Sequence, residues 1–513
     1  MTLSSYLIKE SKDEEYVLYS SRLRRIGVLA AVCLASAAMP TTFTGPAVAI
    51  SQIADSFSAT PAQLSWITNA FMLAFGSCLM AAGALADLYG RKRLFLAGLL
   101  LFLLASVWLA FVPDMLMFDV LRGVQGVAGA AIFAGGAAAL AQEFEGKMRI
   151  RAFSLLGTSF GFGLVIGPVI AGMLTAAIGW RAIFGLVIVM AGVALALAIL
   201  AMQESRDPHA RRLDWQGALC FTLALTALTS AVLLLPSANA WLVRSLFGLA
   251  ILMFGLFIVV ELRSERPMLD LSLFRYPRFV GVQALAAAPA YAFVVLLILL
   301  PVRMTGIEAY SSAEAGRLMA AMSAPLLLLP YFAGVLTRWL TPAALCGSGL
   351  LIAAAGLWCL SLFQDMHAAV PALVLIGTGI SLPWGLMDGL AVSVVPVERA
   401  GMATGIFSTV RVAGEGIALA IVSTVLVILI QHQLPEGGNS AGVAALLAAG
   451  RLDGAMQAAG GVNSDLLIHS YSEAFTLLLR GLSGITLVTA LLVFLMLKPQ
   501  NQENHMTLAE EGV

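Results

Sequence analysis

Fourteen runs of mostly apolar residues divide this chain, and nothing else in it limits the fold as severely. Roughly 20 such residues are what a helix needs to cross a hydrocarbon core, because backbone amides there must be satisfied inside the segment itself. The runs lie at 26–50, 64–85, 94–112, 115–141, 152–178, 183–202, 215–236, 245–261, 279–302, 313–336, 345–362, 371–395, 402–430 and 474–497. Composition points the same way. Of 513 residues 60% are hydrophobic and 11% charged, against about 25% charged in a soluble domain, and one water-soluble core cannot hide that much apolar surface. A soluble enzyme and a disordered chain are excluded, and lipid is the expected solvent.

Lys plus Arg and Asp plus Glu each number 29, so the chain carries no net charge and no basic footprint for nucleic acid. The five cysteines (Cys33, Cys78, Cys220, Cys346, Cys359) lie in or beside apolar runs without metal-ligand spacing and read as small hydrophobes. No metal and no cofactor is expected.

Orientation follows from where the cations fall, since Lys and Arg stay on the cytoplasmic side. With both termini cytoplasmic, 21 lie on the inner side, four (Arg181, Arg244, Arg303, Arg451) on the outer side and four (Arg122, Arg317, Arg411, Arg480) within spans. The start resembles a secretory signal, with Arg22, Arg24 and Arg25 ahead of Ala35-Ser36-Ala37. That reading fails because the apolar run continues past the cut and cleavage would leave thirteen spans with mismatched ends. Two connections are long: an inner linker at 262–278, and an outer excursion at 431–473, expected to form a short amphipathic helix that caps the outer mouth.

Charges inside the spans carry most of the mechanistic information, because one at the bilayer centre costs at least ~2.5 kcal/mol and so marks an ion or substrate path. Only Asp119, Asp388 and Glu415 among the acids fall clearly within spans. Gly377, Ser381, Trp384 and Asp388 share one helical face of the twelfth span, and Thr404, Ser408, Arg411 and Glu415 share one of the thirteenth. These two faces could line one cavity. Asp388 has no charged neighbour within a turn and is the first choice for proton coupling; Glu415 has Arg411 one turn away and suits charge neutralisation or substrate contact. Asp119, three residues before Arg122, is expected to pair with it. No histidine falls within a span, which disfavours an imidazole relay.

After the second span comes Gly83-Ala-Leu85-Ala-Asp87-Leu-Tyr-Gly90-Arg91-Lys92. By physics alone it is a tight turn with a positive-inside anchor. It closely resembles the signature loop of the major facilitator superfamily. Arg122-Gly-Val-Gln125-Gly126 resembles the family's membrane-embedded arginine motif, and Gly163-Leu-Val-Ile-Gly167-Pro168-Val-Ile-Ala171-Gly172 its antiporter motif. Trp66-Ile-Thr-Asn69-Ala-Phe71 and Gly179-Trp180-Arg181 are similar to the fourteen-span drug:proton antiporter branch, of multidrug or siderophore exporter type.

The resemblance implies an all-α polytopic membrane protein with a six-helix bundle at 26–202, two inserted spans within 203–278 and a second six-helix bundle at 279–497, flanked by cytoplasmic tails 1–25 and 498–513. Gly334-Val-Leu336-Thr-Arg338 repeats the Gly83–Asp87 pattern without its acid, as a duplicated half would. It further implies a conformational latch in Gly83, Asp87, Gly90, Arg91 and Lys92, with Asp87 meeting the thirteenth span near Gly401–Gly405 when the inner side is shut. The branch usually carries an aspartate in the first span where this chain has Thr42.

The expected function is proton-coupled export of an amphipathic drug or biocide across the cell (inner) membrane by alternating access, through a cavity including Arg122, Arg411, Trp384, Ser381, Ser408, Thr404 and Thr42. Proton coupling is assigned to Asp388, Glu415 and Asp119, and partners are the bilayer, protons and a small molecule. A periplasmic adaptor is left open. Export of a metabolite such as a siderophore, nutrient:proton symport, and a membrane-embedded enzyme or sensor are the alternatives. No His, Asp and Cys cluster suits an enzyme, and no Gly-x-x-x-x-Gly-Lys loop suits a nucleotide-driven pump.

Overall fold

A computed structural model describes residues 3–206, 214–235, 240–264, 271–395, 400–434, 440–460 and 463–497. Among them no strand occurs, and fourteen helices are long and apolar enough to span a membrane. They are α1 (Arg22–Val48), α2 (Pro61–Tyr89), α3 (Arg91–Ala110), α4 (Met115–Glu143), α5 (Arg151–Ile178), α6 (Ala182–Ala201) and α7 (Trp215–Leu234). There follow α8 (Ala240–Arg263), α9 (Pro277–Gly306), α10 (Ser312–Leu336), α11 (Pro342–Leu360), α12 (Val370–Ala391), α13 (Ile406–Gln433) and α14 (Ser464–Met496).

Starts are set by local chemistry. Thr60 and Gln63 form a reciprocal capping box at α2 with Pro61 in its first turn, and Asp114 Oδ1 accepts from Met117 N at 2.9 Å at α4. Hydropathy alone misplaces two features. α14 begins at Ser464 rather than near 474, because its polar first turns pack on the excursion before it: Ser470 Oγ donates to Gln433 O at 3.2 Å and Tyr471 is fully enclosed. α9 contains a π-helical turn, Ala290–Val294, directly after Pro289, a local rewinding that an apolar pattern does not encode.

Spans α1 to α6 pack among themselves, as do α9 to α14, while α7 and α8 pair with each other and α7 leans on α2 and α13. Thr424 Oγ1 of α13 donates to Val232 O of α7 at 2.9 Å. The two groups of six meet mainly along two seams, and α1 also packs on α9. At the α2/α13 seam a Cβ on Gly76 would come within 2.6 Å of Ala413 Cα, so only glycine permits that approach. At the α5/α10 seam Gly172 lies on the Ser312 carbonyl, and a Cβ on Gly316 would come within 2.8 Å of Pro168 O.

The molecule has a basic end, where Arg24, Arg25 and Arg91 to Arg93 lie, and an opposite far end. The far end is shut. Helices Ser440–Ala448 and Leu452–Ala458 of the outer excursion lie over it, and Arg451 between them donates from Nη1 to Ala59 O at 2.8 Å, with Nη2 3.7 Å from Asp55 Oδ1. A loop of the second group is thereby tied to the first.

Candidate functional site

The polar faces of α12 and α13 come together, but not in the pairing expected from sequence. Arg411 Nη1 donates to Asp388 Oδ1 at 3.2 Å, and its guanidinium lies 6.0 Å from the Trp384 ring and 5.5 Å from that of Phe407. Asp388, expected to stand alone, is thus the acid Arg411 bonds, while Arg411 still acts electrostatically on Glu415. Spacing along one helix counts only neighbours on that helix, whereas the partner of Arg411 lies on α12. The Asp388 side chain is 50% exposed and faces across to α5, where a Cβ on Gly157 would lie 3.7 Å from Oδ2.

Glu415 is buried, and its Oε1 has no hydrogen-bond partner. A Cβ on the next residue, Gly416, would lie 3.2 Å from Met72 Cβ of α2, so the acid sits in the seam between the two groups. Trp384 Nε1 is likewise buried and unpartnered. Ser381 is fully enclosed and donates to Gly377 O at 2.6 Å, its own helix satisfying it. Ser408 is half-buried. The Thr404 side chain lies outside the described residues.

Arg122 does not open onto a cavity. It is 0% exposed, donating from Nε to Ile67 O at 2.7 Å and from Nη1 to Gln125 Oε1 at 2.7 Å, with its guanidinium 4.9 Å from the Phe71 ring. Gln125 in turn donates to Ser106 Oγ at 2.8 Å. No salt bridge joins Arg122 to Asp119, its expected partner, although each acts electrostatically on the other; Asp119 Oδ1 and Arg122 Nη2 are both buried without a hydrogen-bond partner. Thr42 is also enclosed and donates to Ala38 O at 2.9 Å.

At the basic end Asp87 pairs with Arg91 at 3.0 Å and remains 43% exposed, while Arg91 also reaches Gln142 of α4. Nothing stands within 4 Å of a Cβ placed on Gly83. The expected contact of Asp87 with Gly401–Gly405 falls on residues whose side chains lie outside the described ones. Gly90 has φ +117°, and Glu204 Oε1 occupies the space a Cβ would need. That carboxylate accepts from the amides of Lys92 and Arg93, both at 3.2 Å, and Lys92 Nζ donates to Met202 O at 2.6 Å. The turn is locked to the end of α6 by reciprocal capping.

The glycines of α5 serve two interfaces. Gly163 lies on the Ala37 carbonyl and Gly167 would meet Thr41 Cα at 3.0 Å, both on α1, while Pro168 and Gly172 face α10 across the second seam. One charged cluster escaped the sequence reading: Arg303 Nε donates to Glu308 Oε1 at 2.7 Å and Nη2 to Gln364 O at 3.3 Å near the far end. Burial pushes the Glu308 carboxyl up, against the pull of Arg303. The spacing of five residues between Arg303 and Glu308 was its only trace. No group able to hold a metal ion occurs among the described residues.

The sequence profile of the Major Facilitator Superfamily matches residues 30–419. Multidrug resistance protein Stp of Mycobacterium tuberculosis (strain CDC 1551 / Oshkosh) is 31% identical over 385 residues, 74% of this chain and 72% of that protein. The probable actinorhodin transporter of Streptomyces coelicolor is 30% identical over 390 residues, covering 72% of this chain and 67% of that one. Among solved structures, the bacterial homologue of the human lysosomal transporter Spinster, inward-facing and unoccupied, superposes with a TM-score of 0.62 at 16% identity over 92% of this chain and 97% of that one. The peptide transporter POT in complex with sulfate gives 0.62 at 14% identity over 92% and 94%.

Proposed function

This chain belongs to the Major Facilitator Superfamily, and we propose that it is a proton-coupled exporter of amphipathic organic compounds of the cell (inner) membrane. That it is a multi-pass membrane transporter and not an enzyme follows from the family. Stp, named for multidrug resistance, supports a drug-like substrate. The relative named as a probable actinorhodin transporter favours a second reading, export of an endogenous metabolite.

The observation that carries the proposal is the arrangement of two acids around one cation at the seam: Arg411 bonded to half-exposed Asp388, with buried Glu415 one turn along α13 and without a donor at Oε1. Two carboxylates compete for one guanidinium. In this proposal Glu415 carries the proton. When the proton leaves to the basic, cytoplasmic side, Arg411 turns from Asp388 to the new Glu415 carboxylate on its own helix, an i,i+4 contact. Asp388 is then free to receive the cationic part of a substrate, so loading requires proton release and exchange follows. The positions of the cations support a cytoplasmic basic end, and Asp87 is the latch that forms when that side shuts.

One-for-one exchange of a monovalent cation for a proton moves no net charge, so it draws on the pH difference alone, each unit of which is worth about 1.4 kcal/mol and a tenfold concentration ratio. Purified protein in proteoliposomes tests the reading: adding ethidium on the side of the basic end should release protons there, and an imposed pH gradient should concentrate ethidium. Proton uptake in the same direction as the solute would make the protein a symporter and end the proposal.

A further inference from the structure

Beyond the central acids the protein contains a second, largely apolar cavity with four polar side chains on its wall. It encloses about 110 Å³ between α2, α7, α9 and α13 at the far end, and the helix Ser440–Ala448 of the outer excursion roofs it. Ser423 on its wall lies eight residues farther along α13 than Glu415, about 12 Å toward the far end. The chamber is thus separate from the Arg411 cluster and lies on the exit side of it.

Its chemistry differs too. No ionisable side chain lines it; Ser65, Thr68, Asn69 and Ser423 supply the polar surface. Asn69 is the informative one. It is buried, its Nδ2 donates to Ser65 O at 2.9 Å, and its Oδ1 has no hydrogen-bond partner. A buried amide oxygen left bare is destabilising unless something donates to it, and an apolar packing void would show no such group. The volume suits one polar head group rather than a whole drug-sized molecule, which needs at least ~300 Å³. The roof can lift only if Arg451 releases Ala59 O and Asp55.

We propose that this chamber is an exit subsite that receives the N–H- or O–H-bearing end of an amphipathic solute, with Asn69 Oδ1 as its acceptor. The role as an exit step rests on the exporter reading above; the binding itself does not. The occupant leads with its donor, is held while the far end is shut, and leaves when the excursion swings away from the first group of spans.

The test uses the full chain in detergent with its five cysteines replaced by alanine and Ser423→Cys introduced. Alkylation of that thiol by N-ethylmaleimide is timed with ethidium, which carries N–H donors, and with tetraphenylphosphonium, which carries none. Ethidium should slow the reaction and tetraphenylphosphonium should not. Adding Asn69→Leu should raise the ethidium concentration for half-protection about tenfold, the loss of one buried hydrogen bond. Equal protection by the two cations, protection by neither, or ethidium protection indifferent to Asn69→Leu overturns the subsite. The comparison of the two cations on Ser423→Cys alone decides it if Asn69→Leu does not fold. Absence of proton-driven export by the wild type would sink the exporter reading without altering this readout.

Discussion

In the first group of spans Arg122 is wholly enclosed, and every hydrogen bond it makes goes to a neutral acceptor, a backbone carbonyl or the Gln125 amide. In the last group Arg411 bonds instead to a carboxylate that is half open to its surroundings, with a second, unpartnered carboxylate one turn away. A cation held by carbonyl and amide dipoles is a strut, indifferent to proton concentration. One shared between acids is a switch, because protonating either acid changes which contact is preferred. The two arginines therefore stand in different surroundings, and the proposed cycle places the proton step in the second half.

The largest effect should come from breaking the strut. Arg122→Met removes two buried hydrogen bonds and leaves space the neighbours cannot fill, at a cost of about 3–5 kcal/mol. Thermal unfolding in detergent should shift steeply downward, and whatever protein stays folded should keep its proton dependence. Arg411→Met, by contrast, loses a pair open to solvent on one side, about 1 kcal/mol or less, so its melting should barely move while coupled transport stops. If both variants fail in the same way, the distinction between strut and switch is gone.

Next in size is Glu415→Gln. An amide cannot carry a proton, so accumulation driven by a pH gradient, about tenfold per unit, should fall to about one while downhill exchange of ethidium persists. Full accumulation by this variant would remove Glu415 as carrier. Asp388→Asn should do less: coupling survives, and the half-saturating concentration of a cationic substrate rises roughly tenfold, as for loss of one charge-assisted hydrogen bond. Reversal of these two phenotypes would restore the assignment that the sequence alone suggested.

The bond between Arg411 and Asp388 shows where sequence was readable and where it was not. The fourteen spans emerge from apolar run length, because backbone desolvation in lipid is a local constraint; the glycines at 163, 167 and 172 stand out because close helix approach excludes side chains. Which ionisable groups matter was also legible, since a charge in hydrocarbon is expensive wherever it points. Who pairs with whom was not. Asp388 meets Arg411 across two helices, Arg122 prefers Ile67 O on α2 to Asp119 on its own helix, and Arg451 reaches Asp55 from almost the other end of the chain. Each depends on helix rotation and register, which helical spacing does not fix. Asn69 was visible only as part of a motif; its bare oxygen becomes evident when α13 and the roof helix close around it.

The smallest expected effect is the sharpest test of the contrast. Asp119 precedes Arg122 by three residues, the spacing at which a helix brings acid and base together, yet Oδ1 of Asp119 is buried without a donor and the two act on each other only electrostatically, with no hydrogen bond between them. Asp119→Asn keeps the shape and removes a charge that no hydrogen bond at Oδ1 rewards. Melting temperature should change by the equivalent of about 0.5 kcal/mol or less, and gradient-driven ethidium accumulation should be unaltered. A loss of coupling would mean that Asp119 captures Arg122 in another conformation of the cycle. The first half would then also hold an exchangeable cation, and Arg122 would have to be counted with Arg411 rather than against it.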